Sequence, residues 1–280
     1  MKLANEKARQ YYPPSSGRNL ADTTHMCIAA HQDDIEIMAA GAIIECFGKN
    51  DKKFTGVTVT DGAGSPRTGI YEHVTDEDMK KIRAVEQETA AAIGCYNAQL
   101  QLYYPSSAVK DSKNVGLVSE LKEIIIAASP KFLYMHNFAD KHDTHVAVAL
   151  RTLEALRQLP VSARPQKVYS MEVWRSLDWV SDDEKLLFDT SQDEFLQAAL
   201  LGVYHSQIAG GKRYDVACLG RKRANATYVA THDTDDHTAA EYGIDITDYV
   251  FDENWSPADF IGRYIENFRQ DVNERIAKFS

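Results

Sequence analysis

A doubly wound, Rossmann-like α/β sheet, mostly parallel and with helices on both faces, is the fold class that this sequence predicts. Two observations predict it. Short apolar runs alternate with helical periodicities of ten residues or more, which implies parallel pairing through right-handed crossovers. Polar segments rich in His and Asp follow two of those runs directly, at the carboxyl ends of strands, where open α/β sheets keep their active sites.

After a polar arm over residues 1–24, residues 25–30 (His-Met-Cys-Ile-Ala-Ala) form a short buried strand. Residues 35–47 place Ile37, Ala40, Ile44 and Phe47 at spacings of three and four, as in a helix packed on a sheet. Residues 54–60 are a second strand, and the glycines and proline of 61–69 make a loop. Residues 76–94 form a helix with an acidic start and Gly94 at its stop. A third strand spans 99–103, a helix 115–128, and a fourth strand 131–136 leads into the polar segment 137–142. Residues 144–159 are again helical and 167–173 are a fifth strand. Beyond Trp174 the pattern weakens, with helices expected over 194–206 and 257–276 and an extra strand over 185–188. There is no internal repeat and no low-complexity linker. Residues 25–280 therefore read as one α/β domain, whose extension from about residue 175 packs on the sheet and closes one side of the pocket.

The bulk composition narrows the function. A chain of 280 residues with 44% hydrophobic content is an ordinary globular protein, not a disordered one. A formal charge of −10 and a pI near 5.4 argue against nucleic acid or an anionic membrane as partner, since both demand excess Lys and Arg at the contact. Small molecules are the expected partners. Cys27, Cys46, Cys95 and Cys218 lie far apart without a Cys-x-x-Cys pair and read as reduced core residues. No apolar leader stands in the first 25 residues and no run approaches the roughly 18 apolar residues of a membrane span, so a cytoplasmic location is expected.

Chemistry concentrates in two clusters: His31, Asp33 and Asp34 after the first strand, and Asp140, His142, Asp143 and His145 after the fourth. If those strands are neighbours where the strand order reverses, the clusters flank one crevice. A zinc site of two imidazoles and one carboxylate keeps its fourth position for water, and His31, Asp34 and His145 fit that set. Asp33, next to a ligand but pointing elsewhere, suits a general base. His142 lies one helical turn before His145. Held as an imidazolium by Asp140 or Asp143, it would stabilise an oxyanion and protonate a leaving amine. A lone His-x-x-His is usually two unrelated surface residues, and Asp-Asp before a helix is usually a cap. The convergence of both clusters on one crevice is what favours a metal hydrolase acting on amides.

The segment Ala30-His31-Gln32-Asp33-Asp34-Ile35-Glu36 resembles the opening Ala-His-Pro-Asp-Asp-x-Glu of the LmbE-like, or PIG-L, family of zinc-dependent N-acetylglucosamine deacetylases. Thr60-Asp61-Gly62, Arg83-x-x-Glu86, Ile93-Gly94 and His205-x-Gln207 extend the likeness over roughly the first 210 residues. The resemblance implies the same roles: His31, Asp34 and His145 as metal ligands, Asp33 as base and His142 as the electrophilic or acid histidine. Gln32 replaces the usual proline, a loss of backbone stiffness only. Thr144 stands where the family has an aspartate before the metal histidine, so Asp143 or Asp140 must orient His142.

The loop that starts at Asp61 should border the same crevice, with Asp61 and Arg67 as candidate substrate residues. The resemblance adds His205 as a residue that closes over the substrate. Lys212-Arg213 and Arg221-Lys222-Arg223 could meet an anionic sugar, although a solvated face is the commoner fate of such runs. The cluster from His232 to His237 reads as an exposed loop, and Tyr11-Tyr12-Pro13-Pro14 as an extended arm on the surface or on a neighbouring subunit of a homo-oligomer. The expected function is removal of the N-acetyl group from an N-acetylglucosamine-type amino-sugar substrate, with one zinc ion. Ligand type also admits another divalent metal such as Fe2+. The alternatives are an amidohydrolase for a non-sugar N-acyl compound and a non-catalytic carbohydrate-binding protein.

Overall fold

The computed structural model describes residues 1–280 and contains one eight-stranded sheet. Its strands are β1 (Arg9–Tyr11), β2 (His25–Ala29), β3 (Phe54–Thr60), β4 (Ala98–Tyr104), β5 (Phe132–His136), β6 (Lys167–Met171), β7 (Leu186–Asp189) and β8 (Ala240–Asp245). The helices are α1 (Asp34–Met38), α2 (Ala40–Cys46), α3 (Asp76–Ile93), α4 (Ser106–Lys110), α5 (Val115–Ala128), α6 (Asp143–Arg157), α7 (Glu194–Gly202), α8 (His205–Ile208), α9 (Tyr214–Tyr228), α10 (Thr247–Phe251) and α11 (Pro257–Ala277). In the sheet the order is β1-β4-β3-β2-β5-β6-β8-β7. The five strands from β4 to β6 are parallel, while β1, β8 and β7 join antiparallel at the two sides.

The chain winds outward from β2 through β3 to β4, then returns to the other side of β2 as β5. Strand order therefore reverses between β2 and β5, whose carboxyl ends lie side by side, with Ile28 opposite Met135. Alternate residues of these strands face opposite ways, so each face of the sheet builds its own core. Met26, Ile28, Val57, Val59, Leu100 and Leu133 pack with α5, α6 and the C-terminal helices. Cys27, Ala29 and Tyr134 pack with α1, α2, α7 and part of α9 on the other face.

Three features depart from the sequence expectation. The helix expected over 35–47 breaks at Ala39 (φ −132°, ψ 27°), because the Gly41 amide donates to Glu241 Oε1 at 2.8 Å. A Cβ at Gly41 would lie 3.1 Å from that of Phe188, so glycine lets this helix approach the edge strands closely. The helix expected over 194–206 ends at Gly202 and restarts as α8. Residues 9–11 of the arm form an edge strand on β4 of the same chain, where no strand was expected. All four cysteines are free, and no helix is long and apolar enough to cross a membrane.

Candidate metal centre

β2 delivers its following residues to the reversal point, and the turn Ala30-His31-Gln32 is drawn tight by Asp33. Asp33 adopts φ 102°, a left-handed backbone rare outside glycine and a sign of stored strain. Asp34 then opens α1 and folds its carboxylate back, so that Oδ2 accepts the His31 amide hydrogen at 2.7 Å. The same oxygen lies 3.3 Å from His31 Nδ1 and 3.2 Å from His145 Nε2, and the two ring nitrogens are 3.1 Å apart. Tetrahedral zinc with ligand bonds of about 2.0–2.1 Å separates its donor atoms by roughly 3.3 Å, so this trio fits one face of such a tetrahedron.

Second contacts aim these donors. Asp140 Oδ2 faces His145 Nδ1 at 3.3 Å, which leaves Nε2 turned toward Asp34 and His31. Asp140 is itself fixed by the amides of His142 (3.0 Å), Val173 (3.1 Å) and Trp174 (3.4 Å). His136, the last residue of β5, also approaches Asp34 Oδ2 at 3.4 Å. Its Nε2 accepts the Ala30 amide hydrogen at 2.9 Å, so that lone pair is already used. Sequence reasoning left His136 within its strand, and only its position as the last strand residue hinted at the site.

Electrostatics separate the two adjacent aspartates. Burial alone would raise Asp34, yet the charge of His145 and hydrogen bonds from His145 and His31 hold it well below the usual carboxylate range. Burial raises Asp33, only partly offset by Arg83, whose guanidinium lies 3.0 Å from its Oδ2. Burial lowers His31, lowers His142 and takes His136 to about 4. His145 is pushed up to about 10 despite burial, by Asp34 and Asp140. Beneath the site, Glu36 accepts hydrogen bonds from Tyr204 (2.6 Å), Tyr96 (2.7 Å) and Gln87 (2.9 Å), and burial still raises it to about 7. Gln87 also takes the Asp33 amide at 3.4 Å, tying the strained turn to this buried network.

The trio opens into a cleft of about 440 Å³, within the range of small-molecule sites. Asp33, His142 and Thr144 line it with the trio, and so do Arg83, Ser106, Lys110, Trp174, Gln207, Lys212 and Tyr214. Several sequence expectations need correction. His142 is not oriented by a carboxylate: its Nδ1 accepts the Thr144 amide at 3.2 Å as the N-cap of α6. Asp143 is exposed in the first turn of that helix, and Asp140 serves His145 instead. Asp61, Arg67 and His205 do not line the cleft. Asp61 pairs with Lys80 (3.1 Å), Arg67 with Asp76 and the Ala63 carbonyl, and His205 with the Tyr71 hydroxyl (2.7 Å). The sequence marked Arg83 through the Arg83-x-x-Glu86 likeness but gave it no role; it lies in the apolar register of α3, between the buried Met79 and Ala90, and lines the cleft.

Comparison with known proteins agrees with this geometry. Residues 26–156 match the family described as PIG-L: GlcNAc-PI de-N-acetylase. Among curated proteins, none matches the chain in sequence. The N,N'-diacetylchitobiose deacetylase of Pyrococcus horikoshii is 15% identical, with TM-score 0.63, covering 82% of this chain and 86% of that one. A deacetylase of the A40926 pseudoaglycone is 18% identical (TM-score 0.56; 80% and 97% covered). The 4-carboxy-2-hydroxymuconate hydratase of Pseudomonas putida KT2440 is 17% identical (TM-score 0.60; 80% and 96% covered). At such identities the likeness is one of fold, and the hydratase shows that this fold carries more than one chemistry. Residues 26–156, which carry both the opening motif and the trio, are thus the part of the chain that matches the PIG-L, or LmbE-like, family.

Proposed function

We propose that this chain is a metal-dependent hydrolase that removes the N-acetyl group from an N-acetylglucosamine-type sugar or conjugate, releasing acetate and a free amine. The observation that carries the reading is the trio of His31 Nδ1, Asp34 Oδ2 and His145 Nε2 at mutual separations of 3.1–3.3 Å, beside a second buried carboxylate in one cleft. The deacetylase activities of the chitobiose and pseudoaglycone enzymes that share the fold support it. His31, Asp34 and His145 would hold a divalent ion, zinc in this reading, which supplies a Lewis acid and makes water acidic near neutrality.

The chain's own residues supply the rest. Asp33 takes the proton of the attacking water, and its burial suits a carboxyl that must exchange protons near neutral pH. Arg83 holds that carboxylate in place. With Nδ1 of His142 accepting a backbone amide, its Nε2 keeps the hydrogen and offers it as a hydrogen bond to the carbonyl oxygen as the carbon becomes tetrahedral. Asp33 then returns its proton to nitrogen as the C–N bond breaks, so that water has added to the acetyl carbon and hydrogen to the amine. Gln207, Lys212 and Tyr214 reach the cleft from beyond residue 175, in keeping with one domain over 25–280 whose extension closes the pocket.

The test is metal content together with acetate release from free and conjugated N-acetylglucosamine, in zinc-loaded and chelated protein. Metal-dependent release is expected, and Asp33→Asn should bind metal yet lose about 100- to 10,000-fold in rate. Release only from non-sugar N-acyl compounds would replace the substrate. Full activity of Asp33→Asn, or a metal-free protein that zinc does not activate, would overturn the mechanism.

A further inference from the structure

The basic residues that stand out in this acidic chain have separate fates. Arg213 pairs with Asp215 (2.8 Å), Arg223 with Glu194 (2.8 Å) and Lys222 with Glu241 (3.0 Å). Arg221 caps the carbonyls of Val173 and Arg175. Lys212 alone is left over, and it lines the cleft, with its Nζ 5.3 Å from the centre of the Trp174 ring. A second cation, Lys110 at the end of α4, lines the same cleft. Neither ammonium has a carboxylate within 4.0 Å.

The other charges of the cleft are already matched. Asp33 faces Arg83, and Asp34 faces three imidazoles. What remains beside the proposed metal centre is a pair of uncompensated lysines in a protein of net charge −10. Such a cleft draws anions out of solution, while the rest of the surface repels them. Two flexible point charges mounted on separate segments suit an anionic group with more than one acceptor oxygen.

Resting on the amide-hydrolase reading, we propose that Lys110 and Lys212 form an anion subsite and that the substrate bears a phosphate or carboxylate on the portion of the molecule remote from the scissile amide. Trp174, edge-on to Tyr214 and beneath Lys212, gives the intervening ring a flat apolar wall. The two lysines set which conjugate is accepted and do not touch the reacting atoms.

Calorimetric titration of amine ligands tests this without turnover, using glucosamine 1-phosphate, a glucosaminide of a hydroxy acid and the neutral methyl glucosaminide. Zinc-loaded wild type, K110Q, K212Q and the double variant are compared, and the exposed lysines can be changed without threatening the fold. One or both anionic ligands should bind about tenfold or more tightly than the neutral one, and whichever does identifies the anion. Each substitution should cost that ligand about three- to tenfold, and the preference should shrink between about 50 mM and about 500 mM salt. Equal binding of all three, no binding of any, or a preference that survives the double variant overturns the subsite. Lysine-dependent binding without acetate release would sink the deacetylase reading and leave the subsite standing; acetate release indifferent to both lysines would do the reverse.

Discussion

Asp140→Asn is the substitution whose consequence the structure defines most closely. One carboxylate oxygen, Oδ1, accepts the His142 amide, and the other, Oδ2, accepts those of Val173 and Trp174 while facing His145 Nδ1. An asparagine fits the volume but has one acceptor oxygen. Placed either way, its amide nitrogen confronts at least one backbone N–H, and a buried donor left unmet costs about 1–3 kcal/mol. For 280 residues the unfolding entropy is about 0.6 kcal/mol per degree, so the metal-free protein should melt about 2–5 °C lower. The lost charge acts separately on the metal. Removing the partner that sets the tautomer of a ligating histidine typically weakens metal binding 10- to 100-fold, or about 1.4–2.7 kcal/mol. Competition against a chromogenic chelator measures the affinity, and calorimetry of the apo protein measures the melting shift. If Asp140→Asn binds zinc within twofold of wild type, the assignment of His145 Nε2 as an Asp140-oriented ligand is wrong, whatever the melting temperature does.

Two further outcomes follow from buried charge away from the cleft. Glu172 accepts hydrogen bonds from the Leu177 amide and the Trp179 indole, yet burial raises its pKa to about 7. The folded value exceeds the unfolded one near 4.5, so the native state binds more protons between them and stability falls as pH rises from about 4.5 to about 7, by up to about 3 kcal/mol. The stability of wild type relative to Glu172→Gln should therefore decline across that window in pH-resolved urea melts, and a constant difference would refute the shift. Lys222→Met leaves Glu241 buried without its cation and should cost about 3–5 kcal/mol. Lys222→Met with Glu241→Gln should recover part of that loss, whereas a single-variant cost below about 1 kcal/mol would show the pair to be solvated.

How much of this was legible in the sequence depended on where each residue gets its partners. β3 and α5 stand at 54–60 and 115–128 as expected, because their buried residues come from their own pattern: Val57 and Val59 on one face, Leu117, Leu121, Ile124 and Ile125 on one stripe. β8 was not legible. Glu241 and Gly243 are poor strand residues, and each is explained only by a distant neighbour: Lys222 for the charge, and Met171 and Phe188 for a position where a Cβ would have no room. α9 hid behind Gly220 and its Arg-Lys-Arg run. The same division holds at the site. His31 and Asp34 come just after β2, and His145 stands in the first turn of the helix that follows β5, so pattern and chemistry coincided. Beyond the two motif segments, the walls of the cleft come from five separate stretches of chain, and Trp174 or Lys110 has no local signal that marks it as facing this site.

The adjacency of Asp33 and Asp34 shows how one irregular residue lets a short motif do two jobs. Two carboxylates side by side repel, and one of them is pushed toward its protonated form; which one depends on the partners each finds. The left-handed turn at Asp33 separates them. It sends Asp34 toward His145 and His31, which favour the anion, and Asp33 toward a buried wall where Arg83 is the cation in contact with it. The strain is held by partners on both sides: Gln87 on the Asp33 amide, and Arg83 on the Gln32 carbonyl. The proposed ligand, which stays ionised, and the proposed base, which can exchange its proton, are thus identical side chains one residue apart, and the cost is carried by α3, a helix that contributes nothing to the trio itself.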